Sequence, residues 1–365
     1  MKTILFKLSL LSFLIMSCSA NDIMQSNISV DITEEKSDFL FKNLKVEHIC
    51  VLSDSIQIGQ ISKVQYYDSK LYIWDKSTKS ILCFSRDGEF LFKINSVGRG
   101  PSEYVGIDNF YISKECNTIN IMDSGKKVLI YSADDGKYIS TWEPGEKTIM
   151  FVDGISMQNS QVVLGILGPH YNISLHTNDG SFSKIPFNMN RDFSFMEKAF
   201  TYDEDCVLYV HGMDNNIYSI NSDTTMIKYI VDYKGYEILN TVYEDNTPAE
   251  IQKIYESREV ATRMDNLVNS HRFLSFSYWL MSPDKPVQTN YVLHTKHNGT
   301  TYNFSDNILF PIKDAYGDIF ISVVDDIEQL YEVSSDNRLG KALKSLNKDL
   351  QIKEYSNPLI IYWKL

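Results

Sequence analysis

The sequence predicts an all-β fold made of repeated units. Aromatic residues make up 13% of the chain and Tyr alone numbers 23, a composition that favours strands. Two segments repeat with an offset of 48 residues: a strand ending in Asp75 or Asp123, a polar turn, a second strand, an Asp-Gly pair at Gly88 or Gly136, and a third strand. Because Asp-Gly favours tight hairpin turns, each segment reads as a set of antiparallel strands.

Weaker copies of this unit continue along the chain. They lie at residues 162–180, 207–223, 291–299 and 318–323. A period of 44–48 residues with about four short strands per unit is typical of propeller blades. We therefore predict a β-propeller over residues 46–365, with the final strand, 359–363, closing the ring against the N-terminal blade.

Two segments interrupt the strand pattern. Thr247 and Glu250 have the spacing of a capping box, and Pro248 suits the first helical position. Apolar residues then recur at nearly helical spacing, which predicts a helical insertion from 248 to about 268. Residues 327–346 predict a C-terminal helix before the closing strand. For both helices we favour a role in packing and ring closure.

The first residues resemble an export signal. Lys2 and Lys7 precede an apolar run, Leu8–Met16, that is too short to span a bilayer. The run ends in Ile-Met-Ser-Cys, which resembles the bacterial lipobox. We predict a signal peptide over residues 1–17, lipid attachment at Cys18, and a lipidated tether over 18–45. The alternative is an ordinary secretory signal with a chance cysteine.

These features predict a location and a limited set of partners. The lipid would anchor the chain in the cell envelope, at the outer membrane, with its periplasmic face and the cell surface both left open. The net charge is −12, and it becomes more negative once Lys2 and Lys7 are removed. This charge argues against nucleic acid and against anionic membrane surfaces as partners, because both attract basic patches.

Four cysteines follow Cys18, namely Cys50, Cys83, Cys116 and Cys206. An even number permits disulfides with three connectivities, and buried free thiols are an equal alternative. Their spacing matches no zinc ribbon or redox motif. We predict no metal and no cofactor.

The segment Val97–Tyr104, Val-Gly-Arg-Gly-Pro-Ser-Glu-Tyr, is more specific. It resembles the G-R-G-P-x-E-Y motif of the six-bladed β-propeller lipoproteins of Bacteroides-type bacteria. The ending Asn357–Leu365 resembles the N-P-x-L-x-x-Y-x-L tail of that family, with Ile360 and Trp363 as departures. The resemblance implies six blades and a membrane tether, and it implies little about activity.

The repeat places a set of polar residues on one rim of the predicted propeller. Loops between second and third strands share a face with the connectors between blades, so Asp75, Asp123, Arg99, Glu103 and Tyr104 are candidate ligand-binding residues. An arginine offers a bidentate fork to a carboxylate or phosphate. The favoured interpretation is nevertheless structural, with the glycines and Pro101 shaping the connector.

We expect a non-enzymatic protein that binds a ligand or acts as a scaffold. The candidate ligands are a glycan, a peptide or a protein. The sequence contains no catalytic motif such as Gly-x-Ser-x-Gly or His-Glu-x-x-His. The alternative is a metal-dependent lactonase or lyase that uses the axial channel. Its ligands would include carboxylates such as Asp108, Asp123 and Asp153.

Overall fold

The computed structural model describes most of the chain from residue 26 onward. The described residues are 26–34, 36–124, 126–143, 150–157, 160–166, 171–177, 182–186, 196–204, 206–212, 214–221, 225–238, 247–305, 310–324 and 357–365. The elements in chain order are β1 (Ser26–Ser29), α1 (Ser37–Asn43), β2 (Lys45–Val51), β3 (Ile61–Tyr67), β4 (Lys70–Asp75), β5 (Ser80–Ser85), β6 (Phe90–Ile94), β7 (Ile107–Ser113), β8 (Thr118–Asp123), β9 (Val128–Ser132), β10 (Tyr138–Trp142), β11 (Met150–Met157), β12 (Ser160–Ile166), β13 (Tyr171–Thr177), β14 (Phe182–Pro186), β15 (Phe200–Asp203), β16 (Cys206–Val210), β17 (Asn216–Ile220), β18 (Thr225–Asp232), α2 (Pro248–Ser257), β19 (Val260–Asn269), β20 (Phe273–Met281), β21 (Gln288–Thr295), β22 (Thr301–Ser305), β23 (Ile312–Tyr316), β24 (Ile319–Val324) and β25 (Leu359–Lys364).

The described strands form six antiparallel sheets of four strands, one of which gains a fifth, parallel strand. Five sheets follow chain order, namely β3–β6, β7–β10, β11–β14, β15–β18 and β19–β22. The remaining sheet has the order β2-β25-β24-β23 and so joins both ends of the described chain. The strands of the two strongest sequence repeats lie where the sequence predicts them.

The first strands of the sheets surround a common axis. β3, β7, β11, β15, β19 and β23 contact one another in chain order, and β23 contacts β3 again. The closing contact is made by β25, which pairs with β2 from Lys45 beside Lys364 to Val51 beside Leu359. The chain is therefore an all-β propeller, and the final strand pairs with an N-terminal strand as expected.

Hairpin geometry explains the sharp reversals between strands. Asp68 and Ser69 both have positive φ between β3 and β4, which is the conformation of a two-residue type I′ turn. The two Asp-Gly pairs of the sequence repeat also form turns, with φ of +87° at Gly88 and +68° at Gly136. The repeat was visible in the sequence because these turns require particular residues.

The core lies between neighbouring sheets rather than at the axis. One cluster joins Tyr72 and Trp74 of the β3–β6 sheet to Phe110 and Tyr131 of the next sheet. Another joins the β3–β6 sheet to the closing sheet. The abundant aromatic residues therefore fill the spaces between sheets, where large flat side chains bury the most area.

The inserted helix is shorter than the sequence predicts. α2 ends at Ser257, and the residues up to Asn269 belong to β19. The capping box is confirmed, since the Thr247 side chain accepts from the Glu250 N–H and the Glu250 carboxylate accepts from the Thr247 N–H. The prediction of a helix to residue 268 is wrong because β19 is bulged, with positive φ at Arg263 and Asn266. The bulges place Met264, Leu267 and Val268 in the core at a spacing that resembles a helix.

The N-terminal segment also differs from the expected tether. β1 adds to the edge of β18 as a parallel strand, with Ile28 fully buried beside Val231. α1 follows, and its Leu40 is fully buried against the sheets. The strand β1 and the helix α1 therefore pack on the propeller through Ile28 and Leu40.

Several predictions concern parts of the chain outside the described residues. These are the signal peptide, the lipid site Cys18, the C-terminal helix at 327–346 and the end, 178–180, of the repeat copy at 162–180. No helix among the described residues is long and apolar enough to cross a membrane.

A candidate binding cavity at the hairpin end of the channel

The Arg-Gly-Pro segment forms a closed connector between the first two sheets. The Glu103 carboxylate folds back and accepts a hydrogen bond from the Gly100 N–H at 2.8 Å. A Cβ atom on Gly98 would lie 2.0 Å from that carboxylate, so a larger residue there would displace the Glu103 side chain from this position. The Tyr104 hydroxyl is buried and donates to the Lys79 carbonyl at 2.8 Å, while Arg99 is exposed. Glu103 therefore braces the connector itself, and Tyr104 ties the connector to the β3–β6 sheet.

Asp75 and Asp123 occupy equivalent positions at the ends of second strands. The Asp75 carboxylate accepts from the backbone N–H groups of Gly59 and Gln60, where the chain enters β3. The Asp123 carboxylate accepts from the N–H of Val105 at 2.8 Å, where the chain enters β7. Hydrogen bonds to the charged form lower the pKa of Asp75 against the opposing effect of its burial. A ligand role for both aspartates stays a prediction.

A large cavity opens at the opposite end of the channel from these residues. It has a volume of about 740 Å³ and lies where hairpins from several sheets meet. Its wall is formed by Tyr66, Tyr67, Asp68, Lys114, Asp203, Glu204, Asn269, Ser270, His271, Arg272, Lys296, His297, Ala315, Tyr316 and Gly317. We call this space the outer cavity; none of the five ligand-binding candidates from the sequence lines it.

A second, smaller space continues from the outer cavity along the axis. This inner cavity of about 70 Å³ is lined by first strands, including β3, β7, β11 and β15. The two cavities share Tyr66, Lys114, Asn269 and Ala315, which therefore mark the throat between them. The outer cavity is thus the mouth of the axial channel.

Ion pairs between first strands cross the channel beyond the throat. The Lys63 ammonium lies 2.7 Å from the Asp153 carboxylate, and both side chains are almost completely buried. Lys198 pairs with Asp314 at 2.5 Å. Burial lowers the pKa of Lys63, and the Asp153 carboxylate opposes that shift. These pairs join sheets that are distant in the chain and fill the channel with polar contacts.

Lys114 is the cation at the throat. Its ammonium lies 4.7 Å from the centre of the Tyr202 ring, and the side chain is accessible to solvent in the cavity. No carboxylate of the described residues lies within ion-pair distance of it, in contrast to Lys63 and Lys198. Desolvation lowers the pKa of Lys114, the Asp314 carboxylate opposes that shift, and Lys198 adds to it. Lys114 is therefore positioned to meet a ligand that enters the mouth.

Other charges lie around the rim of the outer cavity. Lys296 and Lys228 both pair with Asp203, at 3.2 and 2.5 Å. Arg272 donates to the Leu365 carbonyl oxygen at 3.2 Å, and His271 beside it is exposed. The Asp203 carboxylate is thus already neutralised by two lysines.

Asp265 has the most unusual carboxyl group near the channel. Its oxygens accept hydrogen bonds from the backbone N–H groups of Glu197, Lys198 and Asn266. Burial raises the pKa of Asp265 to about 6, despite these hydrogen bonds. The residue links β19 to the entry of β15.

The three carboxylates considered for metal binding do not form one group. Asp153 pairs with Lys63, Asp108 accepts from the Ser124 hydroxyl at 2.6 Å, and Asp123 holds a connector. Among the described residues there is no cluster of three His, Cys, Asp or Glu side chains that could hold a metal ion. The four cysteines are free thiols, with Cys50 and Cys83 buried, so no disulfide forms between them.

Most residues of the two cavities carry no motif that sequence reasoning could recognise. Lys63 and Asp153 are 90 positions apart, and Lys114 stands in an ordinary polar hairpin. The one available signal is Lys63 within the strand 61–67, because a charged side chain on a buried strand needs a partner.

Comparison with known proteins shows the family. Residues 53–364 match the domain of unknown function DUF4934, and the chain belongs to that family. No curated protein matches the chain.

Solved structures agree on the fold. A protein from Bacteroides fragilis, described as exported, has a TM-score of 0.71 and 16% identity, over 93% of this chain and 99% of its own. A member of the DUF4221 family from Bacteroides vulgatus has a TM-score of 0.55 and 10% identity, over 89% and 99%. At these identities the likeness concerns the propeller fold alone.

Proposed function

We propose that this protein is an exported, ligand-binding propeller whose binding site is the outer cavity. The observation that carries the proposal is a cavity of about 740 Å³ at the mouth of the channel, lined by aromatic and charged side chains. Sites for small molecules commonly have about 300–1,000 Å³ and combine apolar walls with a few polar groups. The hairpins that form the rim come from several sheets, which is how propellers assemble binding surfaces.

The number of blades and the cellular location are part of the same proposal. Each of the six sheets would be one blade of a six-bladed ring, closed by the pairing of β2 with β25. The lipobox at Cys18 and the likeness to a structure described as exported support a lipid-anchored envelope protein, at the outer membrane. The DUF4934 match and the G-R-G-P-x-E-Y segment are consistent with the Bacteroides-type lipoprotein family.

A metal-dependent lactonase or lyase has less support. Asp153, the carboxylate that does face the channel, is engaged by Lys63 at 2.7 Å. A metal ion there would have to compete with that ammonium. We therefore propose binding rather than catalysis.

The test is a ligand screen of the mature chain by thermal shift, with glycans, peptides and organic acids. A ligand that binds the folded state raises the melting temperature once its concentration exceeds its Kd. Each hit is then measured against His271→Trp, which places a large side chain at the exposed rim, and against Lys253→Gln, an exposed control on α2. Loss of binding in His271→Trp alone supports the cavity, whereas equal binding by both variants places the site elsewhere.

A further inference from the structure

We propose that the outer cavity takes a ligand with one anionic group, a carboxylate, sulfate or phosphate, and that Lys114 holds this group at the throat. The inference rests on the proposed function, since it names the ligand class of the same cavity. It rests on which charged side chains of the channel already have a partner of opposite charge.

The other lysines on the channel wall already have anionic partners. Lys63 is paired with Asp153, and Lys198 is paired with Asp314. At the rim, Lys296 shares Asp203 with Lys228. Four lysines line the two cavities, and among the described residues Lys114 is the one without a carboxylate at ion-pair distance.

The position of Lys114 determines which end of a ligand it would contact. It lines both cavities, whereas the rim carboxylates Asp68 and Glu204 line only the outer one and are exposed. A ligand that enters with its anionic end first passes the rim and meets the ammonium where the two cavities join. An ammonium–oxyanion hydrogen bond is stronger in such a partly desolvated place than at the surface.

The overall charge of the protein cannot supply this attraction. The net charge of −12 repels anions in general, so binding of an anion requires a local cation. The Tyr202 ring lies 4.7 Å from the ammonium and stabilises it in the absence of ligand. The throat can therefore hold an unpaired lysine until a ligand arrives.

A pair of matched probes tests the inference. 8-Anilinonaphthalene-1-sulfonate carries a sulfonate, and N-phenyl-1-naphthylamine has the same rings without it. Both are titrated by fluorescence against the wild-type chain, Lys114→Gln, Lys114→Arg and Lys253→Gln. Thermal unfolding of each variant confirms that it is folded.

We expect Lys114→Gln to weaken binding of the sulfonate probe about tenfold, as expected for loss of one charge-assisted hydrogen bond, and to leave the neutral probe unchanged. Lys114→Arg keeps the charge and should retain most of the affinity, and Lys253→Gln should match the wild type. If both probes bind and Lys114→Gln weakens neither, or weakens both equally, the anion inference fails while the cavity remains a site. If neither probe binds the wild-type chain, the proposed cavity itself fails.

Discussion

The Lys63 ammonium and the Asp153 carboxylate lie 2.7 Å apart across the channel, although 90 positions separate them in the sequence. Lys63 also donates to the Asn109 side chain at 2.9 Å, and Asp153 accepts from the Ala199 N–H. Three strands, β3, β7 and β11, and the segment entering β15 thus meet in one buried polar group. This contact fixes how those sheets are placed around the channel below the binding cavity.

Removal of the ammonium should destabilise the protein strongly. Lys63→Met leaves Asp153 buried without its cation, which costs about 3–5 kcal/mol of unfolding free energy. Lys63→Met combined with Asp153→Leu should recover part of that loss, because no buried charge then stays unpaired. Urea unfolding measures the unfolding free energy of both variants. A value for Lys63→Met within about 0.5 kcal/mol of the wild type would contradict the prediction.

Asp265 should make the stability depend on pH. Its pKa is about 6 in the folded protein and 3.8 as the ordinary value, so the folded state binds the proton more tightly. The contribution of Asp265 to stability is therefore fully present below about pH 4 and is lost as the pH rises through 6.

The variant Asp265→Asn isolates this effect. The difference in unfolding free energy between wild type and variant should shift in favour of the variant by up to about 3 kcal/mol between pH 4 and pH 7. Urea unfolding at pH 4, 5, 6 and 7 gives the curve. A difference that stays constant over this range would show that the carboxyl group is not perturbed.

Asp75 should prove to be a structural residue. Asp75→Ala removes an acceptor for the backbone of Gly59 and Gln60 and for the Ser77 hydroxyl, and should lower the unfolding free energy by about 2–3 kcal/mol. Ligands found in the screen should bind the folded variant with unchanged Kd. A selective loss of binding with normal stability would instead support the ligand role predicted from the sequence.

The N-terminal strand should contribute to stability. Ile28 is fully buried against the β15–β18 sheet, so Ile28→Ala should cost about 2–5 kcal/mol. Ser29→Ala, at an exposed position of the same strand, is the matched control and should have little effect. Equal stability of the two variants would indicate that this segment is the free tether expected from the sequence.

The sequence predicted the parts of the fold that depend on local chemistry. The Asp-Gly turns at Gly88 and Gly136 require positive φ, and the capping box at Thr247 is a local motif, so both were recognisable. The prediction of a helix over β19 is wrong because bulges change the spacing of its buried residues. No sequence motif marks these bulges.

The cavity could not be predicted in the same way. Its residues come from hairpins far apart in the chain, and they share no motif. Whether Lys114 is paired depends on where Asp153 and Asp314 lie around the axis, which only the folded ring determines. The distinctive motif in the sequence, Gly-Arg-Gly-Pro, lies instead in a connector, where its contacts hold the backbone in place.

The most direct test of the account is a crystal structure of the mature chain with 8-anilinonaphthalene-1-sulfonate bound. We expect the aromatic rings of the probe to lie in the outer cavity, with a sulfonate oxygen within about 3 Å of the Lys114 Nζ atom. A probe bound on the connector face, near Arg99 and Asp75, with the outer cavity holding only solvent, would contradict it.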